Sequence, residues 1–243
     1  MSNVVRWLGV ELDEVSAKEK AVAAAGGLLA ILLLSLLTGR VLDPDGAVLV
    51  VASMGASAVL LFAVPHGQLS QPWPVLGGHL VSALIGVTAQ RLVRPPELAA
   101  AIAVGAAIGA MHVLKCIHPP GGATALTAVI GGAAVHDLGY GFVVRPVLLN
   151  AALMVVLAVA YNALFAWRRY PAAFHRPRPA GAPGPSHAEV LAALRQMDSV
   201  VDVSEDDLVR LVHLRSPAAR PANGQAGAPP NGRSLIRPRR PSA

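Results

Sequence analysis

Six apolar segments, separated by short polar or Pro/Gly-containing stretches, constrain this chain more than any other feature of its sequence. They cover residues 21–37, 48–64, 75–92, 98–114, 123–135 and 143–167. Most are long enough to cross a bilayer core of ~30 Å at ~1.5 Å per helical residue, whereas 123–135 is short and must start deep in the membrane or re-enter it. The sequence therefore predicts an all-α, polytopic membrane bundle with about six membrane segments in the lipid bilayer.

Composition and charge indicate the same class of protein. Apolar residues make up 54% of the chain and charged residues 14%. Residues 1–167 carry equal numbers of basic and acidic side chains, so the net charge of +6 falls entirely in the rest of the chain. A neutral apolar body with a basic tail indicates membrane topology and attraction to a membrane surface rather than nucleic acid binding. The single cysteine, Cys116, excludes an internal disulfide.

Basic residues at both ends of the apolar region predict the topology. Lys18 and Lys20 precede the first segment, and Arg168 and Arg169 follow the last. Because basic flanks favour the cytoplasmic side, both termini are predicted to be cytoplasmic, which needs an even number of crossings and favours six over five. A cleaved signal peptide is disfavoured, since the first apolar run has the length of a span and lacks a small-residue cleavage site. The expected location is the inner membrane of the cell.

The stretch HPPGGATAL, His118–Leu126, interrupts the apolar pattern. Two prolines cannot continue a helix but are favoured in the first turn of a new one, so a helix should stop before His118 and another should start after it. The small residues that follow allow a neighbouring helix or a ligand to approach closely. A helix start inside a membrane leaves free N–H groups and a partial positive charge, which together suit a small anion.

A weak internal repeat is compatible with six segments. Residues 55–64 (GASAVLLFAV) match 122–131 (GATALTAVIG), and 74–84 (PVLGGHLVSAL) match 146–156 (PVLLNAALMVV). Two three-helix halves in opposite orientation would bring two small-residue helix starts, at 55–57 and 122–124, together near the midplane, where transporters often bind substrate. The alternative is a chance similarity between Ala/Val/Leu-rich segments.

Several spaced motifs together resemble the HPP family of integral membrane proteins. They are HPP with GGATA at 118–125, QPxxxxGGH at 71–79, GAS at 55–57, and YN at 161–162 before RRYP at 168–171. The resemblance covers roughly residues 1–175. It implies a multi-span helical domain, and some relatives in chloroplasts and cyanobacteria are assigned nitrite transport. The chain departs from the family at Gly67 and Gln68, where Ser-Pro is usual.

The rest of the chain, 176–243, is predicted to be a mostly disordered, Pro/Arg-rich cytoplasmic tail after the transmembrane domain of 1–175. Helical spacing of apolar residues predicts two short amphipathic helices within it, at 186–197 and 204–215.

Twelve residues are candidates for binding a substrate, each with a structural alternative. His118 could donate to a ligand or cap a helix, and His79 could face the same cavity or bond a carbonyl. Lys115 could supply positive potential or extend to the surface, while Gln71 and Asn162 could orient a ligand or link helices. The full set is Gly55, Ser57, Gln71, His79, Lys115, His118, Pro119, Pro120, Gly121, Gly122, Thr124 and Asn162. Glycines 77, 78, 105 and 109 are expected at close helix contacts.

Two functions are compatible with the sequence. One is a transporter or channel for a small inorganic anion, with nitrite as first guess, which predicts a polar cavity containing His118. The other is a non-transporting scaffold or sensor acting through its tail, which predicts a closed, dry bundle. No enzyme, cofactor or metal site is expected, since HxxxH and HExxH pairs are missing and the spans lack carboxylates. The sequence leaves open whether the protein forms a homo-oligomer.

Overall fold

The computed structural model describes residues 16–40 and 44–174, with only the backbone described for 44–49. The described chain forms seven α-helices, which confirms the all-α prediction: α1 Ala17–Thr38, α2 Pro44–Ala63, α3 Pro72–Leu92, α4 Pro96–Val113, α5 Pro119–Ile130, α6 Gly132–His136 and α7 Leu149–Ala163. Short 3₁₀ turns lie at Gln68–Ser70 and Ala172–Phe174, and an irregular helical segment at Val143–Leu148 leads into α7. The predicted tail, with its helices at 186–197 and 204–215, lies outside the described residues.

Four helical segments are long and apolar enough to cross a membrane. They are Ala17–Thr38, Pro72–Leu92, Pro96–Val113 and Val143–Ala163. The apolar part of α2, Val50–Ala63, is shorter, and α5 has 12 residues. The chain is thus a multi-pass membrane protein, while the count of six crossings stays a prediction.

Prolines and a serine define where the helices begin. Proline is the first residue of α3, α4 and α5, where its missing N–H leaves no intrahelical bond unmade. Before α1, the Ser16 side chain accepts a hydrogen bond from the Glu19 N–H. The predicted break before His118 is confirmed, because α4 ends at Val113 and α5 starts at Pro119.

A tight turn sends the chain from the end of α4 back into the bundle. The Cys116 N–H donates to the Met111 carbonyl and the Lys115 N–H to the His112 carbonyl, which is the bonding pattern of a Schellman motif. Lys115 takes the left-handed position of that motif, with φ 55°, where glycine is usual. The side chain of Lys115 is exposed while Cys116 is buried, so within one residue the chain turns from the surface into the core.

The packing places α5 inside and apolar side chains outside. The short helix α5 contacts α2, α3 and α4, while α1 packs on α2 and α7. One face of α1 is a surface of exposed leucines, as expected for a helix that faces lipid: Leu28, Leu29, Leu32, Leu33, Leu36 and Leu37. On α4, Ala99, Ala103 and Ala107 face inward at a spacing of four residues and allow close packing.

Two expectations about helices are wrong. Gly55 and Ser57 lie inside the continuous helix α2 rather than at a helix start, because no proline breaks the helix after Pro44. Gly105 and Gly109 lie on the exposed face of α4, where an added Cβ would meet nothing within 4 Å. The close contacts of α4 are made by its alanines instead.

A partly buried ion pair joins the start of α1 to the segment after α7. The guanidinium of Arg168 pairs with the Glu19 carboxylate, and it donates to the carbonyl of Phe62 and to Asn162 Oδ1, the last at 3.0 Å. Trp167 Nε1 donates to the other carboxylate oxygen of Glu19 at 2.8 Å. These contacts fasten together α1, the end of α2 and the end of α7.

Candidate functional site

Four polar side chains from three helices meet in the interior of the bundle. Ser57 comes from α2, His79 from α3, His118 immediately precedes α5, and Thr124 lies within α5. His79 follows the first residue of α3 by seven positions and Ser57 precedes the last residue of α2 by six. At ~1.5 Å per residue both lie ~10 Å below the loop 64–71 that joins these two helices. We call these four side chains the polar cluster.

The polar cluster is a continuous chain of hydrogen bonds. Ser57 Oγ lies 2.9 Å from His79 Nε2 and 2.9 Å from His118 Nε2. His79 Nδ1 lies 2.8 Å from Thr124 Oγ1, and His118 Nδ1 lies 2.8 Å from the carbonyl oxygen of Leu69. All four side chains are buried, with at most 1% exposed. The serine hydroxyl therefore bridges two imidazoles that no water reaches in this conformation.

The Leu69 carbonyl fixes the direction of every hydrogen bond in the polar cluster. Because a carbonyl only accepts, His118 must carry a proton on Nδ1. With neutral rings, Nε2 of His118 then accepts from the Ser57 hydroxyl, and Ser57 Oγ accepts from Nε2–H of His79. Nδ1 of His79 is left as an acceptor for the Thr124 hydroxyl. The two histidines are thus opposite tautomers. Every polar side-chain atom of the polar cluster has a hydrogen-bond partner.

Glycines let the helices approach closely enough to form the polar cluster. A Cβ added at Gly78 would lie 2.6 Å from His118 Cβ, and one added at Gly121 would lie 2.8 Å from Ser82 Oγ. Gly55 and Gly122 behave differently, because a Cβ at either position would meet nothing within 4 Å. Gly78 and Gly121, rather than Gly55 and Gly122, are the positions of close approach.

The loop 64–71 holds the Leu69 carbonyl in place. Ser70 Oγ donates to the carbonyls of Leu60 and Val64 at 3.0 and 2.7 Å. Gln71 Nε2 donates to the carbonyls of Pro65 and Gly67, and its Oε1 accepts from the Ala172 N–H at 3.0 Å. Gln71 therefore links backbone segments beside the polar cluster and does not join it.

The remaining predicted site residues lie elsewhere. Asn162 accepts from Arg168 and donates to the Leu61 carbonyl at 3.4 Å, so it belongs to the ion-pair contact at the end of α7. Lys115 lies exposed in the turn after α4. Arg168 is the important residue that the sequence analysis treated only as a topology signal. The one signal that could have found its role is Glu19, the only acidic residue in the first turn of α1.

The start of α5 offers fewer backbone donors than the sequence suggested. Pro119 and Pro120 have no N–H, and the Gly121 N–H donates to the His118 carbonyl at 2.8 Å. The expectation of free N–H groups is therefore wrong for residues 119–121, because the prolines that start the helix also remove its donors. The positive end of the helix dipole remains at His118.

The polar cluster is closed in this conformation. A cleft of about 300 Å³ lies between α3 and α4, away from the cluster, and its lining is mostly apolar. Within residues 16–40 and 44–174, no three His, Cys, Asp or Glu side chains come together as a metal site would require. The arrangement can exchange protons along its hydrogen bonds, and it can present hydroxyl and N–H donors to a ligand if the helices separate.

The sequence of the bundle matches a known protein family. Residues 12–171 match the family described as "HPP, transmembrane region". The chain belongs to the HPP transmembrane family. All four residues of the polar cluster fall within the matched region, as do the HPP turn and the Glu19–Arg168 pair.

Two curated relatives of this HPP protein come from Dictyostelium discoideum, and both are described as transmembrane proteins. One is 36% identical over 172 residues, covering 68% of this chain and 55% of the relative. The other is 35% identical over 175 residues, covering 68% of this chain and 61% of the relative. The chain thus spans less than two thirds of the length of either relative. No solved structure matches it significantly.

Proposed function

We propose that this HPP protein is a membrane transporter for a small inorganic anion, with nitrite as the first candidate, and that the polar cluster is its central site. The observation that carries the proposal is the burial of Ser57, His79, His118 and Thr124 together, with two histidines at the centre of a bundle whose buried side chains are mostly apolar. Ionisable residues within membrane helices are expensive, and they commonly mark the path of a substrate or an ion. The choice of nitrite rests on the family resemblance.

A structural role alone accounts poorly for this composition. Apolar side chains of similar volume would pack the same space without desolvating four polar groups. Buried apolar residues of the same helices illustrate this: Val75 and Ala83 lie one helical turn to either side of His79, and Ala125 follows Thr124. Two histidines joined through one hydroxyl are instead a chemically versatile group, able to donate and accept hydrogen bonds and to exchange protons.

Side chains rather than backbone groups would bind the anion. When α5 separates from α2 and α3, the hydroxyls of Ser57 and Thr124 and an N–H of each histidine become available as donors. The positive end of the α5 dipole adds attraction at His118. A small, flat anion with two acceptor oxygens suits such a narrow set of donors. The proposed activity is transport without covalent chemistry, and it needs no cofactor.

The proposal includes a topology. Six segments cross the inner membrane with both termini in the cytoplasm, α5 and α6 together forming the fifth crossing, in two halves of opposite orientation. Support comes from α2 and α5, the middle elements of the two halves, which supply Ser57 and Thr124 to the same cluster. Cysteines placed at Ser2 and Gly184 should be labelled from the same side of the membrane, and labelling from opposite sides would refute this arrangement.

The second candidate function is a non-transporting scaffold or sensor. It is favoured by one observation, the closure of the polar cluster to solvent. A transporter must open this cluster to each side in turn, whereas a scaffold keeps it closed throughout. The two functions therefore differ in a measurable way.

Uptake by reconstituted protein tests the proposal. Proteoliposomes containing the full chain are tested with nitrite, nitrate, formate and bicarbonate. His118→Asn keeps an amide donor near the Nδ1 position for the Leu69 carbonyl but cannot accept from Ser57 through Nε2, so it should reduce uptake at least tenfold. His112→Asn is the control, because His112 is exposed on α4. Equal uptake by wild type and His118→Asn, or no uptake of any of the four anions, would count against an anion transporter.

A further inference from the structure

The polar cluster has one closed end and one open end. At the His118 end the chain stops at the Leu69 carbonyl, which accepts a hydrogen bond and cannot pass a proton on. At the other end, Thr124 Oγ1 lies 3.4 Å from a second acceptor, the Pro120 carbonyl oxygen. Of the two ends, only the Thr124 end can therefore take up or release a proton, once water reaches it.

We propose that the polar cluster binds a single proton and holds it by reversing the direction of its hydrogen bonds. The proton binding rests on the geometry of the four side chains. Its coupling to anion movement rests on the function proposed above.

The uptake step moves one proton along each bond of the chain. When the helices separate enough for water to reach Thr124, a hydronium ion gives a proton to the Thr124 hydroxyl, whose own proton moves to His79 Nδ1, and a water molecule is left. The Nε2 proton of His79 moves to Ser57 Oγ, and the former Ser57 hydroxyl proton moves to His118 Nε2. His79 ends neutral as the other tautomer and His118 ends as an imidazolium. Every atom that loses a proton gains one, His118 Nε2 keeps the added proton, and no bond between heavy atoms changes.

The reversed chain keeps every partner. His118 Nε2 now donates to Ser57, Ser57 donates to His79 Nε2, and His79 Nδ1 donates to Thr124. The Thr124 hydroxyl turns to the Pro120 carbonyl, which stands within reach at 3.4 Å. Because the bonds between the rings and hydroxyls measure 2.8–2.9 Å, either direction is geometrically sound, and no buried polar group is left unpaired.

Ser57 limits the uptake to one proton. If both rings were imidazolium, both would donate to Ser57 Oγ, and the serine proton would have no acceptor in the chain. The ring centroids of His79 and His118 lie 5.0 Å apart, so two positive charges would also repel strongly in this apolar interior. The polar cluster therefore has two protonation states, which differ by one proton.

Other ionisable groups around the polar cluster are few. In α2 the described side chains, 50–63, include no charged residue, and α5 contributes none. The turn before α5 contributes buried Cys116, beside Gly77, and exposed Lys115. His66 lies in the loop 64–71, and Arg168 beyond α7 is paired with Glu19. On α3, Arg91 lies at the far end over the ring of Tyr140, which leaves the two histidines as the titrating pair inside the cluster.

Because the series of hydrogen bonds ends at the Leu69 carbonyl, the polar cluster can hold a proton but cannot conduct one across the membrane. The bound proton returns through Thr124 unless the helices rearrange, so the bundle does not leak protons in the closed state. The charge added at His118 attracts an anion to the positive end of α5. One proton and one monovalent anion would then move together, without net charge.

Histidine NMR tests the reversal directly. The full chain, labelled with ¹³C and ¹⁵N in histidine, is placed in lipid nanodiscs, and the His79 and His118 signals are assigned with His79→Asn and His118→Asn. At alkaline pH, His118 should carry its proton on Nδ1 and His79 on Nε2. On acidification His118 should become an imidazolium while His79 switches to Nδ1–H. Two imidazolium rings, or an unchanged His79 tautomer, would overturn the proposal.

Matched variants on the same helices distinguish the loss of a hydroxyl in the polar cluster from the loss of a hydroxyl elsewhere. Thr124→Val should abolish the His79 switch, whereas Thr127→Val should keep it, because Thr127 donates to the Ala123 carbonyl of its own helix. Ser57→Ala should likewise abolish the switch, whereas Ser53→Ala should keep it, because Ser53 bonds the Val50 carbonyl. A switch that survives in Thr124→Val and Ser57→Ala would contradict the proposed route.

A transport measurement distinguishes the coupling of protons to anion movement from anion transport itself. In proteoliposomes with the membrane potential clamped, an acid-outside gradient should drive nitrite accumulation in wild type and Ser53→Ala but not in Ser57→Ala, with protein-free vesicles measuring leakage of the neutral acid. Nitrite uptake that ignores the gradient would overturn the coupling and leave the proposed function standing. A His79 switch without uptake of any anion would overturn the function and the coupling while supporting the proton binding.

Discussion

Ser57 is the residue on which the polar cluster depends, because its hydroxyl is hydrogen-bonded to both imidazoles. One hydroxyl can donate to one ring while it accepts from the other, so it sets opposite tautomers on the two sides. A methyl group at this position could do neither. The local chemistry of the site thus follows from one side chain on α2.

Ser57→Ala should destabilise the protein more than Ser53→Ala. The first change leaves His79 Nε2–H and His118 Nε2 buried without partners, which should lower the free energy of unfolding by about 1–3 kcal/mol. The second removes a local bond to the Val50 carbonyl within the same helix and should have a small effect. Thermal unfolding of both variants in detergent measures the difference, and equal melting temperatures would show that the bridge contributes nothing to stability.

Gly78 and Gly122 should respond in opposite ways to an added methyl group. Gly78→Ala places a Cβ 2.6 Å from His118 Cβ, which should disturb the cluster and destabilise the bundle by about 1–3 kcal/mol. Gly122→Ala meets open space and should be neutral or slightly stabilising. Melting temperatures and nitrite uptake check both variants. A tolerated Gly78→Ala would mean that the approach of α3 to His118 is not tight.

Among the helices, the turn between α4 and α5 does most to shape the site, because it returns the chain to the interior at the depth where α5 begins. Its Schellman bonding ends α4, and the two prolines start α5 three residues after Cys116. The same prolines remove the backbone donors that would otherwise suit an anion. This turn therefore determines that side chains, and not the helix backbone, form the polar cluster.

Lys115→Gly should stabilise the protein relative to Lys115→Ala. Both variants remove the charge, but only glycine relieves the left-handed backbone of the turn, a difference of a few tenths to about 1 kcal/mol after the greater entropy of glycine is counted. Melting temperatures in the same detergent measure it. Both variants should transport like wild type, since the side chain lies at the surface. Lost uptake in both would restore Lys115 as a source of positive potential for the anion.

Much of the helical pattern could be predicted from the sequence, and the contacts at the site could not. Apolar run length and proline placement are local signals, so the break before His118 and the start of α5 were read correctly. The helix start expected at Gly55 failed because small residues are compatible with both a helix start and a helix interior, and only tertiary packing distinguishes them. Gln71 and Asn162 each have one partner about a hundred residues away in sequence, Ala172 and Leu61, and periodicity offers no signal for such a contact.

The bundle as a unit is closed by the contact between the start of α1 and the segment after α7. Arg168 is buried, and its guanidinium donates to Glu19, Asn162 and the Phe62 carbonyl. Burial lowers the pKa of the Arg168 guanidinium from its ordinary value. Beside it, buried Tyr170 donates to the Ser70 carbonyl, so the same closing segment also steadies the loop that presents Leu69 to His118.

Arg168→Ala should destabilise the membrane domain by roughly 3 kcal/mol, because it leaves partners unpaired in a largely buried site. Arg168→Lys should recover only part of this, since an ammonium cannot reproduce the three directions of the guanidinium bonds. Arg169→Ala is the control, because Arg169 is exposed. Unfolding midpoints in detergent compare the three variants, and equal midpoints for Arg168→Ala and Arg169→Ala would contradict a stabilising role.

The central claim is that the polar cluster, closed in this conformation, opens to water as an anion passes. Modification of histidine by diethyl pyrocarbonate, followed by mass spectrometry in proteoliposomes, measures this most directly. Without substrate, exposed His112 should react and buried His79 and His118 should not. With nitrite and an acid-outside gradient, His79 and His118 should become reactive in wild type while His112 reacts at an unchanged rate. If His79 and His118 stay unreactive under every anion and gradient while His112 reacts, the cluster does not open, and the account of a transporter is contradicted.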